Sequence, residues 1–211
     1  VQKDEKKGLY YVQQEKKRLY FRKSTPPKKI QKYYRALSME QDKRSPHHYF
    51  DSVKDVTGKV FVDIGCAEGY SSLEIVEEAK HIYLFEQDEQ WLEAIRATFE
   101  PWQDKVTIIQ KYVSDHNSSR EQTLDDFFNN QTDEHLFLKM DIEGAERHAL
   151  TGCKNLFQNC QKLDFAICTY HLRDDEEVIS TFLNKHNCAY INQKGFFRHR
   201  IRSVVMRGSK R

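Results

Sequence analysis

From residue 59 onward the chain alternates between short apolar runs and amphipathic stretches. The runs "KVFVDI", "HIYLFE", "VTIIQ", "HLFLKMD" and "LDFAICTY" have the length and near-continuous apolar character of strands buried on both faces. Between them, residues 70–78, 89–99, 145–151 and 175–186 read as helices. A short helix is expected in "TLDDFF", where Thr123 followed by Asp126 gives a cap-like start. The third strand is read as continuing to "KYVSD". Strands and helices in alternation predict a mostly parallel sheet with helices on both faces. The closing segments "CAYIN" and "FRHRIRSVVMR" flank Gln193-Lys194-Gly195. That tripeptide reads as a hairpin turn and predicts one antiparallel strand near the C-terminus.

Residues 1–44 read differently. Residues 2–23 are rich in Lys, Glu and Gln, with a ragged apolar stripe through Leu9, Tyr10, Val12, Leu19, Tyr20 and Phe21, and predict a helix. Thr25-Pro26-Pro27 breaks it. A second helix is expected over residues 28–41, with Ile30, Tyr33, Tyr34 and Leu37 on one face. The expected organisation is a basic helical extension, 1–44, and an α/β domain, 45–211.

Charge sharpens that division. Residues 1–44 hold 14 Lys and Arg against 5 Asp and Glu, and residues 196–211 hold 6 and none, although the whole chain nets only +2. Such asymmetry suits an anionic partner or a basic segment lying on its own acidic domain. The five cysteines, Cys66, Cys153, Cys160, Cys168 and Cys188, are odd in number and contain no C-x-x-C pair. That argues against a disulfide framework and a zinc site. No run approaches a membrane span, and no apolar leader precedes the domain. A cytoplasmic protein is expected.

The chemistry concentrates in "VFVDIGCAEGYSSL". An apolar strand ends in Asp63, passes Gly65, Cys66, Ala67, Glu68 and Gly69, and enters a helix at Tyr70. In a Rossmann-like sheet this loop lies at the carboxyl ends of the strands, where ligands bind. Ala67 stands where the dinucleotide fingerprint has the glycine that admits a pyrophosphate. Asp63 would repel a phosphate and welcome a cation. Glu86 follows Gly65 by 21 residues, close to the offset of a ribose-binding acid, with Gln87 beside it. A nucleoside with positive charge and no phosphate, S-adenosylmethionine, fits these demands. Ser114 and Asp115 are candidates for the adenine.

Beyond the loop, "LKMDIEGAERHAL" places Lys139 and Asp141 on one side of a strand, with Glu143 and Glu146 following. Lys139 is expected to reach Asp141 or the cleft, because burying it alone is costly. His171 ends the fifth strand, where a general base near neutral pH would serve. His171, Asp141 and Lys139 are the candidate catalytic residues. A divalent metal on Asp141 and Glu143 is compatible with the pattern, but no metal is predicted.

Together, "VFVDIGCAEGYSSL", "IYLFEQDEQWLEAIRATF", "TLDDFF", "FLKMDIEGAERHALTGCKNLF" and "AICTYHLRDD" resemble the FkbM family of S-adenosylmethionine-dependent methyltransferases, over about residues 45–190. The resemblance implies a class I methyltransferase fold with a seven-stranded sheet. It also implies O-methylation of hydroxyls on sugars or polyketide-derived molecules, often in bacterial pathways. By resemblance Asp63, Gly65 and Gly69 belong to the cofactor loop, Glu86 to the ribose, and Lys139, Asp141, Glu143 and Glu146 to the family string. The acceptor is expected to be a small molecule or glycan. RNA methylation through the basic N-terminal segment and its tyrosines is the first alternative, and a non-catalytic S-adenosylmethionine-binding module the second. The N-terminal helices, with Tyr49 and Phe50 near the cofactor, are expected to form a lid or a homodimer contact.

Overall fold

The computed structural model describes residues 1–129, 133–197 and 199–210. Three strands open the chain: β1 (Gln2–Asp4), β2 (Leu9–Gln14) and β3 (Lys17–Tyr20), followed by α1 (Pro27–Glu40). The α/β part then runs β4 (Val60–Ile64), α2 (Tyr70–Ile75), β5 (His81–Phe85), α3 (Glu89–Phe99), β6 (Val106–Ile109), β7 (Tyr112–Val113), β8 (Glu121–Gln122), α4 (Leu124–Phe127) and β9 (Leu136–Met140). It ends with α5 (Glu146–Thr151), α6 (Lys154–Asn159), β10 (Leu163–Cys168), α7 (Asp175–Lys185), β11 (Ala189–Phe197) and β12 (Arg200–Lys210).

The main sheet has seven strands in the order β11-β12-β10-β9-β4-β5-β6, with β12 antiparallel to both neighbours and the other pairings parallel. All five residues of β4 and of β9 are buried, as continuous apolar runs demand. Successive side chains go to opposite faces. Val60, Val62, Ile64, Leu136, Leu138 and Met140 join the layer with α4–α7, whereas Phe61 and Phe137 join the layer with α2, α3 and the N-terminal segment. Phe50 stacks edge-on against both phenyl rings. It is therefore a core residue of that layer.

Residues 2–23 form a sheet, β1-β2-β3, where the composition predicts a helix. Leu9 and Tyr11 are buried while Tyr10 and Val12 are half-buried, a period-two pattern. Lys, Glu and Gln favour a helix, but that local preference is small next to the long-range packing that Leu9, Leu19 and Phe21 gain here. The reversals fall at Gly8 (φ 66°) and Glu15 (φ 53°), and Tyr20 N–H donates to the buried Thr98 hydroxyl at 3.0 Å. Much of the basic charge lies on the domain's own acceptors. Lys7 pairs with Glu100 at 2.7 Å, Arg22 approaches Asp88 at 3.4 Å, and Lys17 Nζ caps the carbonyls of Leu73 and Glu74.

Two further expectations change. Gln193-Lys194-Gly195 lies inside β11, with Gly195 opposite Arg202. The glycine is there for closeness: a Cβ would sit 2.2 Å from Pro46 Cγ. The third sheet strand ends at Ile109, and Tyr112–Val113 pairs instead with β8.

At the centre, Asp63 of β4 and Lys139 of β9 are register partners. Lys139 Nζ lies 2.8 Å from Asp63 Oδ1 and donates to the Gly65 carbonyl at 2.7 Å. Ser72 Oγ donates to Asp63 Oδ2 at 2.6 Å. Burial pulls the Lys139 pKa down, but Asp63 and then Asp141 outweigh it and hold it raised. Removing one partner of such a buried pair strands the other charge. Asp63→Ala is expected to cost about 3–5 kcal/mol of unfolding free energy in denaturant titrations, and Asp63→Leu/Lys139→Met to recover most of it. Leu19→Ala, in the N-terminal sheet, is expected to cost about 2–5 kcal/mol, and an unchanged midpoint would show that this sheet is not part of the core.

Candidate active site

Strand order reverses at β4, with β5 and β6 on one side and β9 and β10 on the other. The crevice at the carboxyl ends lies there. The chain leaves β4 through Gly65 (φ 77°), Ala67 (φ 47°) and Gly69 (φ 82°). A Cβ on Gly65 would lie 2.3 Å from the Asp141 carbonyl, and one on Gly69 would lie 2.7 Å from the Phe99 ring. Both glycines thus serve close packing of the loop on its own neighbours as well as its turn. Glu86, at the end of β5, fastens the loop: Oε2 accepts from Ala67 N–H at 3.0 Å and Oε1 from Asp88 N–H at 2.8 Å. Each oxygen keeps a free lone pair.

The other loop residues fall into place around this. Both oxygens of Asp63 are engaged inside the protein, so its effect on the cavity is exerted through Lys139 and the loop. Lys139 lines the cavity yet directs its ammonium to Asp63 and Gly65. Cys66 is buried. Glu68 is buried and takes a hydrogen bond from Tyr33 of α1 at 3.1 Å. Burial is the main force raising its pKa to about 7, with its own backbone N–H and Tyr33 opposing. Tyr70 packs edge-on against Tyr34 and, with Gln87, lines the cavity. Ser114 is buried at the cavity wall. Asp115 is exposed and held by His116 at 2.8 Å and His148 at 3.0 Å, which keep its carboxyl below the usual range.

A second group gathers at the ends of β9 and β10. Asp141 Oδ2 accepts from Tyr49 OH at 2.7 Å and Oδ1 from Tyr170 OH at 3.2 Å. Burial pushes its pKa up, but Lys139, Tyr49 and the two nearby histidines outweigh burial and leave it lowered. His171 Nδ1 lies 2.9 Å from Glu146 Oε1, whereas Nε2 faces Asp141 at 3.5 Å and Glu143 at 3.6 Å. Glu146 is fully buried at the start of α5 and also accepts from Ile142 N–H at 2.9 Å. Burial lowers the His171 pKa, but Glu146 first, then Asp141 and Glu143, raise it above its ordinary value. The imidazole stands between carboxylates with one nitrogen toward each. Asp141, Glu146 and His171 each place one donor atom within 4.8 Å of the others, while the closest contacts of His171 to the two carboxylates use opposite ring nitrogens, an arrangement suited to a held imidazole.

His47 and Tyr170 complete this wall with ring centroids 4.7 Å apart. Neither carries a motif signal of its own, although Tyr170 adjoins His171 in "CTYHL" and His47 stands in "SPHHYF". What brings His47 and Tyr49 here is the C-terminal hairpin. Gln193 donates to the carbonyls of Pro46 and His48, and Arg207 pairs with Asp51 at 2.9 Å. The loop and this wall share one cavity of about 1110 Å³, also lined by Ala36, Leu37 and Glu40 of α1. That exceeds the usual volume of a single-ligand pocket. Nine Asp and Glu line it against Arg22, Lys111 and Lys139, and the Lys139 charge is already matched by Asp63.

Comparison with known proteins agrees with this geometry. The chain is similar to the methyltransferase FkbM of Methylobacillus flagellatus, at 18% identity and a TM-score of 0.57, covering 72% of this chain and 43% of that one. It is also similar to the M. jannaschii tRNA m1G37 methyltransferase, at 14% identity and a TM-score of 0.59, covering 96% of this chain and 56% of that one. A third likeness is to magnesium protoporphyrin IX methyltransferase of Synechocystis with bound SAM, at 10% identity and a TM-score of 0.50, covering 86% and 79%. The chain thus spans less than half the length of the M. flagellatus protein, and these likenesses establish the class I methyltransferase fold. No curated protein sequence matches it. The profile of the methyltransferase FkbM domain matches residues 65–196, from the glycine of the first loop to the C-terminal hairpin and over more than half of the chain, so the protein belongs to the FkbM methyltransferase family.

Proposed function

We propose that the protein is an S-adenosylmethionine-dependent O-methyltransferase acting on a hydroxyl of a sugar, glycan or other uncharged small molecule. The observation that carries this reading is His171, which lines the cavity, held at Nδ1 by buried Glu146 and with Nε2 facing Asp141 and Glu143.

The residues of the first loop fit the cofactor. Glu86 offers lone pairs to ribose hydroxyls, Glu68 and the other carboxylates favour a cation, and Lys139 of β9 is neutralised by Asp63, leaving it without a charge for a pyrophosphate. The Synechocystis relative holds SAM. When bound, the cofactor supplies a methyl group on a positively charged sulfur. The protein's part is to orient the acceptor and manage one proton. His171 takes the hydroxyl proton at Nε2, and Glu146 stabilises the imidazolium that results. Asp141, fixed by two tyrosine hydroxyls, orients the acceptor. The rings of Tyr49, Tyr170 and His47 offer apolar faces to a sugar ring. The acidic lining argues against a polyphosphate chain at the acceptor position, so RNA is the less favoured acceptor.

Glu86→Ala is expected to weaken cofactor binding at least about tenfold by calorimetry, with little change in the unfolding midpoint. Glu68 is neutral well below its pKa of about 7 and anionic above it. Affinity for the cationic cofactor is therefore expected to rise as pH passes through neutrality, and Glu68→Gln to flatten that part of the rise. His171 acts only when neutral, and its raised pKa puts an ascending limb in the pH profile of kcat/KM. His171→Asn is expected to remove the limb and lower kcat about 10²–10⁴-fold while cofactor affinity stays. Methyl transfer to RNA with unchanged activity in His171→Asn would overturn the reading.

A further inference from the structure

The β11–β12 hairpin outruns the sheet. β10 ends at Cys168 opposite Val205, Thr169 N–H still reaches the Val204 carbonyl, and the strands continue to the Phe197–Arg200 pair. The overhang therefore projects from the same end of the sheet as His171 and the cavity. Two of its apolar side chains point outward: Phe196 and Ile201 are cross-strand partners and each is 75% exposed. Leu172, next to His171, is 42% exposed, and the Arg202 guanidinium holds its carbonyl at 2.7 Å. Around them His199, Arg200 and Arg173 are exposed, and residues 196–211 carry no Asp or Glu.

A protruding aromatic–aliphatic pair in a wholly basic, acid-free segment is the composition of an interfacial anchor. Its cations complement the anionic headgroups of a bilayer. The cavity itself is acidic, so the cations do not serve the ligand inside it. We propose that the tip of the β11–β12 hairpin docks on an anionic membrane surface, seating Phe196 and Ile201 among the headgroups with the cavity mouth beside it. No helix of the described residues is long and apolar enough to cross a membrane, and surface docking needs none. The proposal does not depend on which group is methylated.

The test is sedimentation of the full chain with vesicles of phosphatidylcholine alone or mixed with phosphatidylglycerol. Binding to the mixed vesicles, weakened by added salt and small on phosphatidylcholine alone, is expected. Phe196→Ser/Ile201→Ser is expected to lower it about tenfold or more, and Arg200→Glu about tenfold on the anionic vesicles. Both variants alter exposed side chains and should keep the unfolding midpoint and cofactor affinity. Failure of the native chain to bind either vesicle would overturn the proposal, as would undiminished binding by the double variant. So would a tighter hold on single-stranded RNA than on vesicles, or a concentration-dependent dimer that the double variant abolishes.

Discussion

The lysine–aspartate pair between β4 and β9 is the constraint on which the site depends. It couples the two strands that flank the reversal of sheet order, and its third contact, from Lys139 to the Gly65 carbonyl, reaches into the loop itself. Two full charges in a layer of apolar side chains persist because each neutralises the other and Ser72 and the carbonyl fill the remaining valences. The outcome is positional. Gly65 is drawn against the Asp141 backbone so tightly that no Cβ fits, and the loop from one strand and the carboxylate from the next keep a fixed relation.

From that fixed pair the cavity divides into two chemistries. On the β5 side, backbone amides and Glu86 shape a surface that is polar and stationary. On the β10 side, Asp141 and His171 present groups that can exchange a proton. The proposed transfer to a hydroxyl would use this division, because alignment carries most of the rate and only the acceptor's proton needs a titratable partner.

The central sheet was legible in the sequence because its strands are buried on both faces. "VFVDI" and "FLKMD" can hardly be anything else once helices lie between them, and the acids at their ends necessarily fall together. Residues 2–23 were not legible. Lys, Glu and Gln dominate locally, whereas what fixes the strands is the remote contact of Leu19 and Phe21 with the α3 layer. Gly195 misled for a related reason, since a glycine demanded by Pro46 across the chain looks the same in sequence as one demanded by a turn. Lys139 turns to Asp63 and the Gly65 carbonyl and not to Asp141, because its partner depends on strand register. His47 was invisible as a site residue because nothing near it in sequence says that residues from the far end of the chain will press it inward.

That last feature has a temporal meaning. The wall holding His47 and Tyr49 is braced by Gln193 and Arg207, so segments 145 to 156 residues apart must meet before this side of the cavity exists. A ribosome-bound chain could complete β4, the glycine loop and Glu86 and still lack a finished reaction chamber. The wall is complete only once β11 and β12 have paired and closed on residues 46–51.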